Sequence, residues 1–365
     1  MGGAKIRDVM AAPRAALSWD DVVRAMLPAS TMAPLDTARR LYGHMSNVAI
    51  GFFHAAVKDG GLGVPRLAEF IPHLRLRRLL RLRASSVAHV VACACGAMVD
   101  CQIRWCRARL ANVPRPESAD SLKAYWARLW HDAVDGADLS HIAESGVSTD
   151  WVRRPSPFMR GGDFVHYSWV RANSLCSRMR VTRGRRGGRD VMCRAGCQAT
   201  ETAGHMIQRC WILRHECIVK AVGNSLIEKG WTVHYERVYH TPVGPRKPDI
   251  TAVRGNKVAI VDAQVVSGDT LNRAHSNKVA KYRDEAGLTG IIIAERRAGR
   301  DGAAARVAAD SVVYATVTVS WRGVLGSDSM RSLEDLGVDR RTLRRIPIMA
   351  LKGSYLNWVR WNGMT

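Results

Sequence analysis

Arg246-Lys247-Pro248-Asp249-Ile250, followed by Val261-Asp262-Ala263-Gln264, carries two aspartates on either side of a single chain reversal. Between the two segments, Ile250 to Val253 and Lys257 to Val266 read as strands, and Gly255-Asn256 is a two-residue turn of the kind that closes a β-hairpin. Cross-strand partners about such a turn share a constant index sum, which places Asp249 opposite Asp262. Like charges directly opposed in a sheet, with β-carbons about 4.5–5.5 Å apart, destabilise it. A cation held between them removes that penalty. Hard divalent ions such as Mg2+ or Mn2+ take one or two carboxylates plus substrate phosphate oxygens, so the hairpin points to phosphodiester chemistry.

Outward from the hairpin the pattern is α/β. A helix is expected from about Met206 to Lys229, then a strand at Trp231 to Val238, the hairpin, and a helix at Leu271 to Ala286. Strands follow at Gly290 to Ala294 and at Val312 to Ser320, with an Ala-rich helix from Gly302 to Ala309 between them. The unbroken apolar run at Gly290 to Ala294 reads as a strand covered on both faces. Together these give a mixed sheet flanked by helices. Ser332 to Trp361 reads as short helices.

The chain has 365 residues, 47% of them hydrophobic, long enough for two or three domains. Lys and Arg outnumber Asp and Glu by 55 to 32, a net charge of +23 that favours a polyanionic partner, first of all nucleic acid. No stretch approaches the roughly 20 apolar residues of a spanning helix, and Met1 to Arg7 carries neither a signal region nor a myristoylation pattern. The expectation is a soluble intracellular protein with no membrane partner and no small-molecule cofactor.

Residues 34 to 108 read as helical: Leu35 to Val57, then a long stretch from Leu67 towards Leu110. Leu76, Leu79 and Leu80 share one helix face, and Arg77, Arg78 and Arg81 lie on another, where they meet solvent or phosphate. Cys93, Cys95, Cys101 and Cys106 lie in an Ala/Val-rich part of this region and read as small core residues. Residues 111 to 170 carry no pattern that assigns them. From Arg171 to Arg189 the chain holds Arg171, Arg178, Arg180, Arg183, Arg185, Arg186 and Arg189 among Gly184, Gly187 and Gly188, which reads as a flexible basic arm. Arginine binds phosphate bidentately, so the arm suits nucleic acid, or equally a nuclear-import signal.

Nine cysteines, an odd number and clustered, argue for reduced thiols and metal binding over disulfides. Cys193, Cys197, His205 and Cys210 form a C-x3-C-x7-H-x4-C pattern, three thiolates and one imidazole as in a closed structural zinc site. His215 and Cys217 lie near enough to exchange with one of these ligands. Such a site folds a short loop, with a binding free energy on the order of 10–16 kcal/mol.

Nucleases that hold a metal on two acids add a lysine to orient water or offset developing charge. In the Pro-Asp/Asp-x-Lys pattern that lysine falls at position 264, which is Gln264 here. Lys278 and Lys281, on the expected next helix, are the replacements.

These elements, in this order, resemble the site-specific non-LTR retrotransposons that insert into ribosomal RNA genes and carry a restriction-like endonuclease. The likeness rests on Phe53-His54, Gly60-Gly61-Leu62-Gly63-Val64-Pro65, Asn173 to Arg180, the CCHC spacing, Arg246-Lys247-Pro248-Asp249 with Asp262, and the Lys278 to Tyr282 helix. It implies a thumb-like helical domain closing a reverse transcriptase over 1–110, a linker with a basic arm over 111–190 and a zinc knuckle over 191–215. A restriction-endonuclease-like domain over 206–325 and a helical end over 326–365 complete it. It implies a metal-dependent enzyme that nicks target DNA so that the 3′ hydroxyl primes reverse transcription of the element's RNA, in the nucleus. Asp249 and Asp262 then hold Mg2+ or Mn2+, Lys278 or Lys281 assists, and Arg246 and Lys247 contact phosphate. The family's aromatic-x-Asp-Asp polymerase motif is missing: the only Asp pair, Asp20-Asp21, has Ser18 at the aromatic position. The chain therefore reads as the carboxy-terminal part of such a polyprotein, without polymerase activity of its own. The alternative is a catalytically dead, zinc-stabilised nucleic-acid-binding relic.

Overall fold

A computed structural model describes residues 48–154, 156–182, 190–208, 215–283, 287–298 and 311–363, without the side chains of 296–298. Several expectations lie outside these residues: the start of the first helix, Arg183, Arg185, Arg186, Arg189, Cys210 and the Gly302 to Ala309 helix.

Helices dominate the first part. A short α1 (Ile50–His54) is followed by α2 (Leu67–Arg83), α3 (Ala88–Ala94), α4 (Ala97–Arg109) and α5 (Ser121–His131). The single long helix expected up to Leu110 is in fact these three elements, α2 to α4. Leu76, Ile103, Cys106, Leu110, Leu122 and Trp126 form their shared core, with Leu79 and Leu80 packed at its edge. Arg78 and Arg81 are exposed and Arg77 is half-buried. Of the four cysteines expected in this core only Cys106 is buried; Cys93, Cys95 and Cys101 are exposed. Ala and Val around those three favour a helix without fixing which face it buries.

Residues 137–149 form two 3-10 segments, leading into α6 (Asp150–Arg153), α7 (Gly161–Arg171) and α8 (Arg178–Thr182). The flexible arm expected from Arg171 is therefore corrected as far as Thr182. Arg171 is fully buried and donates to the carbonyls of Ser148 and Gly323. Arg180 donates to Asp135 and to the Asn173 carbonyl, and Arg178 pairs with Asp190 at 2.5 Å.

After α9 (Ala203–Gln208) and α10 (His215–Glu228) comes the sheet. It is built from β1 (Thr232–Tyr235), β4 (Ile250–Arg254), β5 (Lys257–Val266) and β6 (Val312–Ser320), in the order β1-β4-β5-β6. β1, β4 and β5 are antiparallel neighbours, and β6 runs parallel to β5. A separate two-stranded ribbon, β2 (Tyr239–Thr241) and β3 (Gly244–Arg246), precedes β4; the apolar pattern alone suggests only one strand through this region. The β4–β5 hairpin has the expected register, Ile250 opposite Val261 and Arg254 opposite Lys257. Gly255 at φ +57° supplies the left-handed residue that a type II′ turn needs at its first central position.

The parallel β5–β6 pair is joined through α11 (Leu271–Arg283) and α12 (Leu288–Ala298). α12 replaces the strand expected at Gly290 to Ala294. Its Leu288 and Ile292, four residues apart and both buried, dock on Val258, Ile260 and Tyr239, and this packing overrides the β preference of the isoleucine run. On the other face of the sheet, Ile218, Val222 and Leu226 of α10 pack on Ile250, Ala252, Val261 and Val317. α13 (Ser327–Asp335) and α14 (Arg340–Gly363) close the same core with Leu333, Leu343, Ile346 and Ala350. The short helices expected at this end are thus mostly one long helix that runs through a buried Pro347. β5 is buried on both faces from Val258 to Ala263, each aliphatic side chain the size of valine or larger contributing about 1.5–3 kcal/mol.

Arg322, immediately beyond β6, is 1% exposed. It donates to the carbonyls of Arg171 and Asp135 and pairs with Asp138, tying the helical part to the sheet. Among the described residues no helix is long and apolar enough to cross a membrane.

Candidate active site

The hairpin register brings the two aspartates together at the end of the sheet. Asp249 stands just before β4, and Asp262 lies on β5, on the face covered by α11. Asp249 Oδ2 accepts from the Ala263 N–H at 2.7 Å and sits 2.8 Å from His215 Nε2, on the first residue of α10. Asp262 is 3% exposed, and its Oδ2 lies 2.8 Å from Lys278 Nζ. The ligand atoms of His215, Asp249 and Asp262 all fall within 4.8 Å of one another.

Environment drives the two carboxyls apart. Burial pushes Asp262 up to about 6, helped by its hydrogen bond to Asp249 and by that neighbour's charge, while Lys278 opposes the rise. Burial acts on Asp249 in the same direction, but hydrogen bonds from His215, Asp262 and the Ala263 N–H overcome it and hold the group down at about 2. The His215 imidazole is raised above its usual value, chiefly by its hydrogen bond to Asp249, against the effect of burial. Two carboxyl groups and an imidazole with ligand atoms this close form a donor set of the kind that suits a divalent cation.

Of the two candidate lysines, the structure brings Lys278 to the carboxylates and leaves Lys281 exposed, its ammonium 5.8 Å from the Tyr282 ring centroid. Tyr282, one turn beyond Lys278, is 5% exposed, and its hydroxyl meets Asp262. Gln264, at the position of the expected lysine, donates to the Ala274 carbonyl at 2.8 Å and to Thr318 Oγ1 at 2.9 Å. It pins α11 to the sheet one turn before Lys278. Arg246 is half-buried beside this cluster, whereas Lys247 is exposed and paired with Glu236 at 2.6 Å.

His215 and Tyr282 are the site residues that sequence alone does not assign. His215 lies beside the zinc pattern and reads there only as an exchangeable zinc ligand. For Tyr282 the one available signal is its four-residue spacing from Lys278, which puts both on one helix face.

Cys193, Cys197 and His205 also gather, with Cys197 Sγ 3.1 Å from Cys193 Sγ and 3.2 Å from His205 Nε2. Gly196, at φ +76°, makes the turn between the two thiols, and its N–H meets the Cys193 carbonyl. Glu201, with no exposed side-chain surface, fixes the loop through Arg194 Nε at 2.9 Å and the Arg194 and Arg178 N–H groups. Burial alone would raise the Glu201 carboxyl; these donors hold it below its usual value. Two sulfurs and an imidazole nitrogen gathered in this way are a soft donor set that could hold a metal ion.

No protein-family model matches the sequence, but several known proteins do. The chain is 32% identical over 332 residues to a "Retrovirus-related Pol polyprotein from type-1 retrotransposable element R2" of Bradysia coprophila, covering 87% of this chain and 36% of that protein. It is 32% identical over 316 residues to the same kind of polyprotein from Nasonia vitripennis, covering 85% of this chain and 29% of that protein. To a "Retrovirus-related Pol polyprotein from type-2 retrotransposable element R2DM" of Drosophila melanogaster it is 30% identical, covering 84% and 29%. By this similarity the chain belongs with the Pol polyproteins of retrotransposable elements. Within them it falls with the R2 elements, a non-LTR group, and spans about a third of the length of the relatives it matches.

Proposed function

We propose that this chain carries the metal-dependent, restriction-like DNA endonuclease of an R2-type element, whose nick exposes the 3′ hydroxyl used to prime reverse transcription of the element's RNA. The observation that carries the proposal is the convergence of Asp249, Asp262, His215 and Lys278 at the end of one sheet. A bound Mg2+ or Mn2+ would supply Lewis-acid polarisation of the scissile phosphate and lower the pKa of a bound water. The protein's own groups do the rest. Asp249 and Asp262 would hold the cation, Asp262 in its ionised form. Lys278 orients the attacking water or offsets charge on the phosphorane, and Arg246 steers the backbone. Water adds to phosphorus, the P–O3′ bond breaks, and the 3′ oxygen leaves with the electron pair and takes up a proton, giving a 3′ hydroxyl and a 5′ phosphate.

Around this site, we assign α1 to α4 as thumb-like, with Arg77, Arg78 and Arg81 facing nucleic acid. Cys193, Cys197, His205 and Cys210 are assigned as a structural zinc knuckle beside the basic segment, and the nucleus as the place of action. Plasmid nicking with and without Mg2+ tests the proposal. Asp249→Ala and Asp262→Ala are expected to abolish nicking; if either nicks as fast as the parent, the assignment fails. Salt-sensitive DNA binding by the parent chain with no cleavage in either metal would establish the inactive relic instead.

A further inference from the structure

The start of α14 and the turn after α6 enclose a cleft of about 160 Å³ whose walls include Trp151, Arg154, Phe158, Arg341 and Arg344. Two guanidinium groups lie over one aromatic ring: the Cζ atoms of Arg345 and Arg341 are 4.6 Å and 5.6 Å from the Phe158 centroid. The one acid in the wall, Asp150, is already neutralised by Arg344 at 2.7 Å. Arg154, Arg341 and Arg345 make no ion pair among the described residues. A cleft lined by the uncompensated Arg154 and Arg341, with Arg345 over its Phe158 wall, attracts an anion, and the ring beneath Arg341 and Arg345 fixes their orientation in advance.

Arg341, Arg345 and Lys352 follow one face of α14. Arg345 and Lys352 are also the charges that act on Cys217 of α10, two residues from His215. The basic ridge therefore runs from the cleft to α10. We propose that this cleft is a phosphate clamp for the DNA backbone flanking the cleavage site, with Arg341, Arg345 and Arg154 as its contacts and Phe158 as the ring that holds the guanidiniums ready. The assignment of DNA as occupant rests on the nuclease reading above.

The test is equilibrium binding of the full, zinc-loaded chain to a short fluorescent DNA duplex in Ca2+, where cleavage does not interfere. Arg341→Glu/Arg345→Glu should weaken binding about tenfold or more and flatten the slope of log K against log salt by about 1.8, about 0.9 for each phosphate no longer neutralised. Phe158→Leu keeps both charges, so it should weaken binding while leaving the slope unchanged. If the charge-reversed pair does not fold, Arg341→Gln/Arg345→Gln carries the same measurement. Parent-like affinity and slope in the folded double variant overturn the clamp, as does a loss confined to RNA of the same sequence. Expected binding losses in a chain that fails to nick would sink the nuclease reading and leave the clamp standing.

Discussion

Asp262→Asn should make the metal-free protein more stable while abolishing its nicking. The magnitude follows from the site. A carboxyl held near 6 in the fold, against an ordinary 3.8, disfavours its charged form by about 3 kcal/mol at about 1.4 kcal/mol per pH unit. Asparagine occupies the same volume without the charge. The favourable pull of Lys278 is already contained in that shift, so removing the charge forfeits no further ion-pair energy. A net gain of about 3 kcal/mol at pH 8 is expected. The sign with pH is fixed as well: the fold keeps a proton that the unfolded chain has lost, so parent stability falls as pH rises from about 4 to about 6. The advantage of Asp262→Asn should therefore be full above pH 6 and vanish near pH 4. Asp249→Asn should do the opposite, because a carboxyl held at about 2 contributes about 2 kcal/mol that is present above its unfolded pKa and lost as the pH falls towards 2. Urea unfolding of zinc-loaded, magnesium-free protein at pH 8 and pH 4.5 reads both signs. An Asp262→Asn variant no more stable than the parent at pH 8, or equally favoured at both pH values, refutes the reasoning.

Lys278→Ala should slow nicking by about 10²–10³-fold, the usual cost of one pre-oriented donor, while Lys281→Ala stays near the parent rate. Because Gln264 shares a sheet face with Asp262, Gln264→Lys on the Lys278→Ala background should recover part of that loss, and no recovery would show that position 264 cannot reach the phosphate. Cys197→Ser should cost the protein its single zinc equivalent by atomic absorption and unfold the loop around Glu201; retained zinc would remove Cys197 from the ligand set. Ile260→Ala, at 1% exposure between β4 and β6, should cost about 2–5 kcal/mol in denaturant unfolding without altering zinc content.

What is legible in the sequence depends on how local the signal is. The hairpin can be read because a turn dipeptide and its flanking strands fix register within about twenty residues, and register alone sets Asp249 against Asp262. The helix after it is equally plain, but a three-residue interval does not say which of Lys278 and Lys281 points inwards; that choice comes from Gln264, Tyr282 and the docking of α11 on the sheet. His215 lies 34 residues before Asp249, and only the packing of α10 across the sheet unites them. The Ile291 to Ile293 run misleads for the complementary reason: β-branched residues favour a strand locally, while the core beneath them accepts a helix. Arg171 and Arg180 look like an arm because sequence shows charge without showing the buried carbonyls and the carboxylate that receive it.

Arg322 makes the helical part and the sheet into one lever. Its guanidinium is held by the carbonyls of Arg171 and Asp135 and by Asp138, so moving these segments against the sheet would break buried bonds. On the proposed nuclease reading, a strand held at the arginine face of α2 would meet the Asp249–Asp262 pair at a reach set by this joint rather than by the strand.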